Sequence, residues 1–109
     1  MNEEIKESFE MSIKIWTEIA EIPDDKSIVS AKKIKQQVIK KLGLPKMYFN
    51  CPFCERLKYN SCTYCPIILI CKNEYFNYTR NFVNDGGHSQ ELAKRVLDRI
   101  VCEYEEFMM

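Results

Sequence analysis

Apolar residues recur every three to four positions over much of this chain, which predicts amphipathic helices. The first helix covers the N-terminal segment and ends before Pro23. Asp24 and Asp25 then offer carboxylates that can cap the next segment. A second helix ends at Gly43, where the left-handed conformation costs little, and Pro45 prevents its continuation. The apolar positions of these two helices are Ile5, Phe9, Ile13, Trp16, Ala20, Ala31, Ile34, Val38 and Leu42.

The C-terminal part of the chain predicts two more helices. An aromatic run from Tyr75 to Val83 has helical spacing and stops before Gly86 and Gly87, which favour a turn. The last helix begins near Ser89, a residue type that caps helix N-termini, and it carries the clearest apolar stripe of the sequence. The stripe consists of Leu92, Val96, Ile100, Tyr104 and Phe107.

Residues 47–71 follow neither a helical period nor the alternation of a strand, and they contain two Cys-x-x-Cys pairs, Cys51 with Cys54 and Cys62 with Cys65. Two intervening residues allow a tight turn to direct both sulfurs at one ion while backbone N–H groups donate hydrogen bonds to the thiolates. Four thiolates complete the tetrahedron that Zn²⁺ binds at about 2.3 Å. The sequence therefore predicts one structural Zn²⁺ ion, without which this segment should lose its order.

Other uses of these cysteines stay open at this point. An iron-sulfur cluster takes the same four thiolates. The segment Cys51-Pro-Phe-Cys54 also looks like the redox dithiol of glutaredoxins, although no strand of a thioredoxin-like unit precedes it. Structural disulfides require an oxidising compartment. Cys71 can replace one of the four ligands or pack as a small apolar residue, whereas Cys102 fits the packing of the last helix.

These elements predict a mainly α fold, a small helical domain of about four helices with an inserted irregular zinc knuckle of four cysteines. A single domain over residues 1–109 is expected, because no stretch has the composition of a linker. It divides into an N-terminal helical pair over 1–43, a zinc-binding insert over 46–71 and a C-terminal helical pair over 73–109.

Charge is unevenly distributed along a chain whose formal net charge is zero. Residues 1–25 hold eight acids against two lysines, and residues 26–58 hold nine cations against one acid. The two segments are expected either to pair within the fold or to leave a basic face for an acidic protein or a phosphate backbone. Neither a signal peptide nor an apolar run of membrane-spanning length is recognisable, so a cytoplasmic protein without a membrane partner is expected.

Catalytic chemistry finds little support among the residues. Four cysteine ligands leave no open coordination position on the metal. His88 is the only histidine and follows two glycines, where a surface or capping role is more common than catalysis. A His-Glu-x-x-His helix is impossible with one histidine, and the His-x-Glu of cytidine-type deaminases is missing. A non-enzymatic protein is therefore expected, and an enzyme that uses His88 with a free cysteine is the third hypothesis after two binding functions.

Several features occur together within residues 43–80: Gly43-Leu44, the first cysteine pair with its inner Pro52, the second pair followed at once by Pro66, and Cys71 before an aromatic run. In this combination the segment resembles small uncharacterised proteins of phages and prophages. The resemblance implies a viral or mobile-element origin, a metal-bound hook and, for a phage-encoded protein, the host cytoplasm. It brings no known activity, but small phage proteins often bind and block a host defence or nucleic-acid machine.

The leading expectation is a zinc-binding interaction protein that binds a host protein and modulates it. In the specific version of this expectation, it inhibits the host protein. The residues expected to contact this partner are Lys46, Tyr48, Phe53, Arg56, Lys58 and Tyr59, since aromatic and arginine side chains anchor many interfaces. The alternative is a zinc-dependent nucleic-acid-binding protein that uses the basic 26–58 segment, with Tyr48, Phe53 or Tyr59 stacked on bases. Its phosphate contacts would be Lys32, Lys33, Lys35, Lys40 and Lys41. The sequence predicts no oligomeric state.

Overall fold

The computed structural model describes residues 2–47, 50–57 and 65–109, and these are mainly helical. The helices are α1 (Asn2–Glu21), α2 (Ala31–Lys41), α3 (Pro52–Leu57), α4 (Ile68–Lys72), α5 (Glu74–Val83) and α6 (Gln90–Met108). The mainly α class is confirmed, as are the four helices that apolar periodicity predicts, α1, α2, α5 and α6. The other two lie in the segment predicted to be irregular. With six and five residues, they are too short to display a repeating stripe.

The core lies between α1 and α6, which make the most extensive helix pair of the structure. Helix α5 packs on α6, while α2 and α3 pack on α1. The predicted stripes face this core, since Phe9, Ile34 and Ile100 are all almost completely buried. Trp16 is buried as well, and its ring stands edge-on to Tyr78 of α5 with centroids 5.2 Å apart. Burial of each stripe against its neighbours supplies the main driving force for the fold.

The turn between α5 and α6 is hydrogen-bonded to the turn between α1 and α2. We name these two turns, residues 24–26 and 86–90, the clasp. The Asp25 N–H donates to the His88 carbonyl at 3.1 Å, and the His88 N–H donates to the Asp25 carbonyl at 2.9 Å. Gly87 lies between them with φ of 65°. A Cβ atom at Gly87 would be 2.4 Å from the Asp25 oxygen and from Lys26 Cα, so the close approach requires glycine.

Helix capping differs from the prediction at Asp24. The Asp24 carboxylate accepts the Gln90 N–H at 2.8 Å and so serves the N-terminus of α6, far away in the sequence. Helix α2 is capped by Ser30, whose Oγ accepts the Lys33 N–H at 3.2 Å. The Asp25 carboxylate does cap the next segment, because it accepts the Ser27 N–H at 2.9 Å. The prediction is wrong for Asp24, which folding brings to a different helix.

Phe53 is a core residue and not the partner contact that the sequence predicted. Its side chain is 1% exposed, and its ring stands edge-on to Phe9 with centroids 5.0 Å apart. Such edge-to-face pairs add about 0.5–1.5 kcal/mol to the burial of the rings. The predicted roles of Phe53 in partner contact and base stacking are therefore wrong, and the residue instead fixes α3 onto α1.

Replacing Phe53 with leucine should lower the free energy of unfolding by about 1 kcal/mol, because the edge-to-face contact with Phe9 is lost while most of the apolar volume stays. Phe76→Leu is the matched control, since Phe76 is 51% exposed. We expect less than about 0.5 kcal/mol for this control. Urea denaturation followed by circular dichroism measures both, and equal effects of the two substitutions would contradict the burial of Phe53.

Candidate metal centre

The first cysteine pair lies at the start of α3. The Cys51 carbonyl accepts the Glu55 N–H at 3.0 Å, and Pro52 occupies the first helical position, where an N–H is not needed. The sulfur of Cys51 accepts hydrogen bonds from the Cys54 thiol and from the backbone N–H groups of Phe53 and Cys54. The turn therefore provides the backbone donors that a Cys-x-x-Cys metal ligand pair is expected to have.

The thiol hydrogen bond separates the proton affinities of the two cysteines. The Cys54 thiol, the Lys35 charge and the backbone N–H groups lower the pKa of Cys51 to about 6. Burial acts in the opposite direction and raises this pKa, but its effect is smaller than theirs combined. The same hydrogen bond and burial raise the pKa of Cys54 above its ordinary value. The shared hydrogen bond therefore favours the thiolate at Cys51 and the thiol at Cys54. Metals bind thiolates, so the turn favours the form of Cys51 that a metal ligand requires.

Lys35 is buried, with 6% of its surface exposed. Its ammonium donates to the Tyr75 hydroxyl at 3.0 Å and lies 4.7 Å from the centroid of that ring. The predicted phosphate contact at Lys35 is therefore wrong, because the side chain points into the protein. The other lysines of the predicted phosphate-binding set are exposed, and Lys41 forms an ion pair with Glu18 at 2.9 Å.

The second cysteine pair is described only at Cys65, since Cys62 lies in the stretch 58–64 that the structure does not describe. The Cys65 carbonyl accepts the Ile68 N–H at 3.1 Å, and this turn leads the chain directly into α4, which carries Cys71. The charges of Cys71 and Cys65, in that order, raise the pKa of Cys54. Both cysteines therefore lie within electrostatic range of the first pair.

The predicted zinc knuckle stays a prediction. Across 2–47, 50–57 and 65–109, no three His, Cys, Asp or Glu side chains stand together closely enough to hold a metal ion. None of the described cysteines forms a disulfide. Cys102 is half-buried on α6, as expected for a residue in the packing of that helix.

A groove of about 1230 Å³ lies beside the cysteines, between α1, α2 and α4. Three cysteines line it, namely Cys51, Cys54 and Cys71. Its charged lining, among described side chains, consists of lysines alone: Lys32, Lys35, Lys40 and Lys46. Four cationic side chains, without a described carboxylate among the lining residues, favour an anionic group inside the groove.

Ser12 adds a polar group to the same groove. Its side chain is 2% exposed, and no described atom makes a hydrogen bond to its hydroxyl. A buried hydroxyl without a partner costs about 1–3 kcal/mol, so a group in the groove that accepts from Ser12 would recover part of this cost. A thiolate of a metal centre is an acceptor of the required kind.

Of the predicted partner contacts, the structure describes the side chains of Lys46 and Phe53. Lys46 is exposed and lines the groove. The backbone of Arg56 belongs to α3, but its side chain falls outside the described atoms, as do Tyr48, Lys58 and Tyr59 entirely. These four residues stay predictions.

His88 is completely buried, although the sequence favoured a surface or capping position. Its Nε2 lies 2.7 Å from the Ile22 carbonyl, which can only accept, so this nitrogen carries the proton. Nδ1 then accepts the Tyr78 hydroxyl at 2.7 Å. Burial raises the pKa of Tyr78, so its hydroxyl keeps the proton that it donates. The ring thus joins the clasp to Ile22, which follows α1, and to Tyr78 of α5, and the predicted location of His88 is wrong.

No family model, curated protein or solved structure matches this chain. The resemblance of residues 43–80 to small phage proteins therefore stays a prediction. Within the described part of the chain, none of the helices combines the length and the apolar content that crossing a bilayer requires.

The metal-free, reduced protein should show one thiolate ionisation near pH 6, where Cys51 titrates, measured as ultraviolet thiolate absorbance against pH. The folded-state pKa lies below the ordinary value of 9.0, so the contribution of Cys51 to the free energy of unfolding rises between about pH 6 and 9 and is lost on acidification. Lys35→Met should move this step to higher pH, whereas Lys32→Met, an exposed lysine of the same groove, should leave it in place. A step that survives in Cys51→Ser would contradict the assignment.

Proposed function

We propose that this protein is a small zinc-binding, non-enzymatic interaction protein of phage or mobile-element origin that binds and inhibits a host protein, such as a defence or nucleic-acid-processing factor, in the host cytoplasm. One observation carries the metal part of this proposal. Cys51, Cys54 and Cys71 line one groove, and the Cys54 thiol and the backbone N–H groups of the Cys-x-x-Cys turn favour the thiolate of Cys51. Zinc fits a set of thiolates in a reducing compartment without requiring redox chemistry.

A structural role for the zinc is supported by the packing around the cysteine segment. The described part of residues 46–71 contributes only two short helices, and its buried apolar anchors are Pro52, Phe53, Ile67 and Ile70. So few anchors leave much of the ordering cost of the segment uncompensated, since each ordered residue costs about 1–2 kcal/mol of backbone entropy. Zinc binding supplies about 10–16 kcal/mol in small domains, enough to offset that cost.

The proposed partner surface is basic. Lys32, Lys40 and Lys46 are exposed around the groove, so an acidic surface on the host protein would be complementary. Arg56, Lys58, Tyr48 and Tyr59 complete the proposed contact set on the basis of the sequence. Phe53 no longer belongs to it.

Affinity capture from host lysate, with zinc content measured on the same sample, tests this proposal. The unsubstituted protein should carry one zinc per chain and retain the same partner in repeated captures at moderate salt. Lys46→Glu should weaken that capture, whereas Lys94→Glu, an exposed lysine on α6, should not. Zinc-free reduced protein, or capture that Lys46→Glu does not affect, would count against the proposal.

Nucleic-acid binding is the second candidate, and the exposed face of α2 favours it. Lys32, Lys33, Lys40 and Lys41 are all exposed on this helix, at positions that share one side of it. Four phosphate contacts predict an affinity for single strands that falls with salt at a log-log slope of about −3. Fluorescence polarisation with a labelled oligonucleotide measures this slope. A flat salt dependence would reject the candidate, and a partner protein retained at high salt would favour the first.

A further inference from the structure

The groove beside the cysteines has an apolar floor made of core residues. Ile15, Ile70 and Ile100 line it and are each 1% exposed, so this floor belongs to the packed interior of the protein. Further aliphatic side chains line the groove, among them Leu44 and Met47. With about 1230 Å³ the groove can hold a small molecule, since ligand sites typically measure about 300–1,000 Å³.

Two polar side chains are buried at the same groove. The Lys35 ammonium donates to the Tyr75 hydroxyl at 3.0 Å, and 6% of the residue is exposed. Ser12 is 2% exposed, and no described atom makes a hydrogen bond to its Oγ. Burying an ammonium and an unpartnered hydroxyl is costly, and a bound group that accepts hydrogen bonds from them recovers part of this cost. Because an ammonium only donates and a hydroxyl can donate, the group that fits both is an anion.

Three exposed lysines, Lys32, Lys40 and Lys46, add cations to the lining of the groove. Lys32 and Lys40 lie about 12 Å apart along the axis of α2, with Gln36 midway between them. No carboxylate is found among the described residues that line the groove. A zinc centre of four thiolates is dianionic, so the four lysines of the groove leave an excess of positive charge even beside such a centre. Cations of one sign in a cleft with apolar walls attract an anion.

We propose that this groove binds an amphipathic anion, a molecule with an unbranched alkyl or acyl chain and a carboxylate or phosphate head group. The chain lies along the aliphatic floor, and the head group accepts hydrogen bonds from the lysines and from Ser12. An aliphatic floor favours such a chain over a sugar or a nucleobase, whose polar edges would be buried there without partners. This binding activity goes beyond the proposed function, because it requires neither a host protein nor zinc.

Titration of the reduced, full chain with dodecanoate and with dodecyl phosphate, below the concentrations at which they form micelles, tests the proposal. Trp16 is the only tryptophan of the chain and lines the groove, so its fluorescence reports occupancy, while calorimetry gives the stoichiometry. We expect one molecule per chain, and an affinity that rises about fourfold for each CH₂ added between octanoate and dodecanoate. Saturation by only one of the two anions identifies the head group. Dodecyltrimethylammonium, a cation of the same chain length, should not bind.

Matched substitutions test whether the groove is the site. Lys32 and Lys33 are exposed neighbours on α2, and of the two Lys32 lines the groove. Lys32→Gln should weaken binding of the anion about twofold to fivefold, whereas Lys33→Gln should leave it unchanged. Ser12→Ala should weaken binding by at least about tenfold through the lost hydrogen bond to the anion. The same substitution should raise the melting temperature of the ligand-free protein, because it removes an unpartnered buried hydroxyl.

Absence of saturable binding of both anions to the unsubstituted protein would overturn the proposal, and is expected if another part of the chain fills the groove. Equal binding of the cationic amphiphile, or equal effects of Lys32→Gln and Lys33→Gln, would mean non-specific association and overturn it as well. So would loss of the helical circular dichroism at saturation. Zinc content is measured on the same samples, so these outcomes leave the proposed zinc centre standing, and absence of zinc leaves the anion site standing.

Discussion

Replacing Cys54 with serine should abolish tight zinc binding and unfold the segment between α2 and α5, while α1 and α6 stay helical. A serine hydroxyl can still donate to the Cys51 sulfur, so the substitution removes a proposed zinc ligand and keeps the hydrogen bond that Cys54 makes. Zinc binding contributes about 10–16 kcal/mol in small domains, so loss of one ligand should cost several kcal/mol of the free energy of unfolding. Zinc content, chelator competition and thermal unfolding measure the effect.

Two comparisons make this result specific to the metal. Cys102→Ser replaces a half-buried cysteine that is distant in sequence from the cysteine segment and should keep both the zinc and the stability. The unsubstituted protein treated with a strong chelator should unfold like Cys54→Ser, since both lack the ion. A Cys54→Ser variant that retains zinc with unchanged affinity would show that Cys54 is not a ligand.

The helices that the sequence predicted are the long ones, in which an apolar stripe runs along one face. In α1, α2, α5 and α6 the repeat is long enough for its period to be visible, and most of each run packs in the same core, while Phe76, Val83 and Phe107 stay exposed. Helices α3 and α4 escaped prediction because they are short and are stabilised by contacts made elsewhere in the chain. Phe53 on Phe9 is the contact that holds α3. Periodicity carries no information about such pairings.

In the candidate site, too, the sequence predicted contacts between neighbours in the chain and missed contacts between distant residues. The spacing of Cys51 and Cys54 was enough to predict a turn with donors aimed at sulfur, because all its parts are neighbours in the chain. The proximity of Cys71 to this turn and the burial of Lys35 depend on how α2 and α4 pack. A lysine at a helical core position was the available signal for Lys35, since it follows the buried Ile34 directly.

The same reasoning identifies His88 as a residue whose loss should be costly, although nothing in its sequence neighbourhood indicates burial. His88→Ala should lower the free energy of unfolding by about 3–5 kcal/mol, through a cavity in the clasp and a Tyr78 hydroxyl left without its acceptor in the core. The Ile22 carbonyl also loses its donor. With a total stability of about 5–15 kcal/mol for a typical domain, this change should be evident in urea denaturation.

Tyr78→Phe is the matched variant, because it keeps the ring and removes only the hydroxyl that His88 accepts. It should cost about 1–2 kcal/mol, and the double variant with His88→Ala should cost less than the sum of the two single changes, since both remove the same hydrogen bond. Additive effects would mean that the two side chains act independently. A cost below about 1 kcal/mol for His88→Ala would mean that the backbone pairing of Asp25 with residue 88 suffices to hold the clasp without the imidazole.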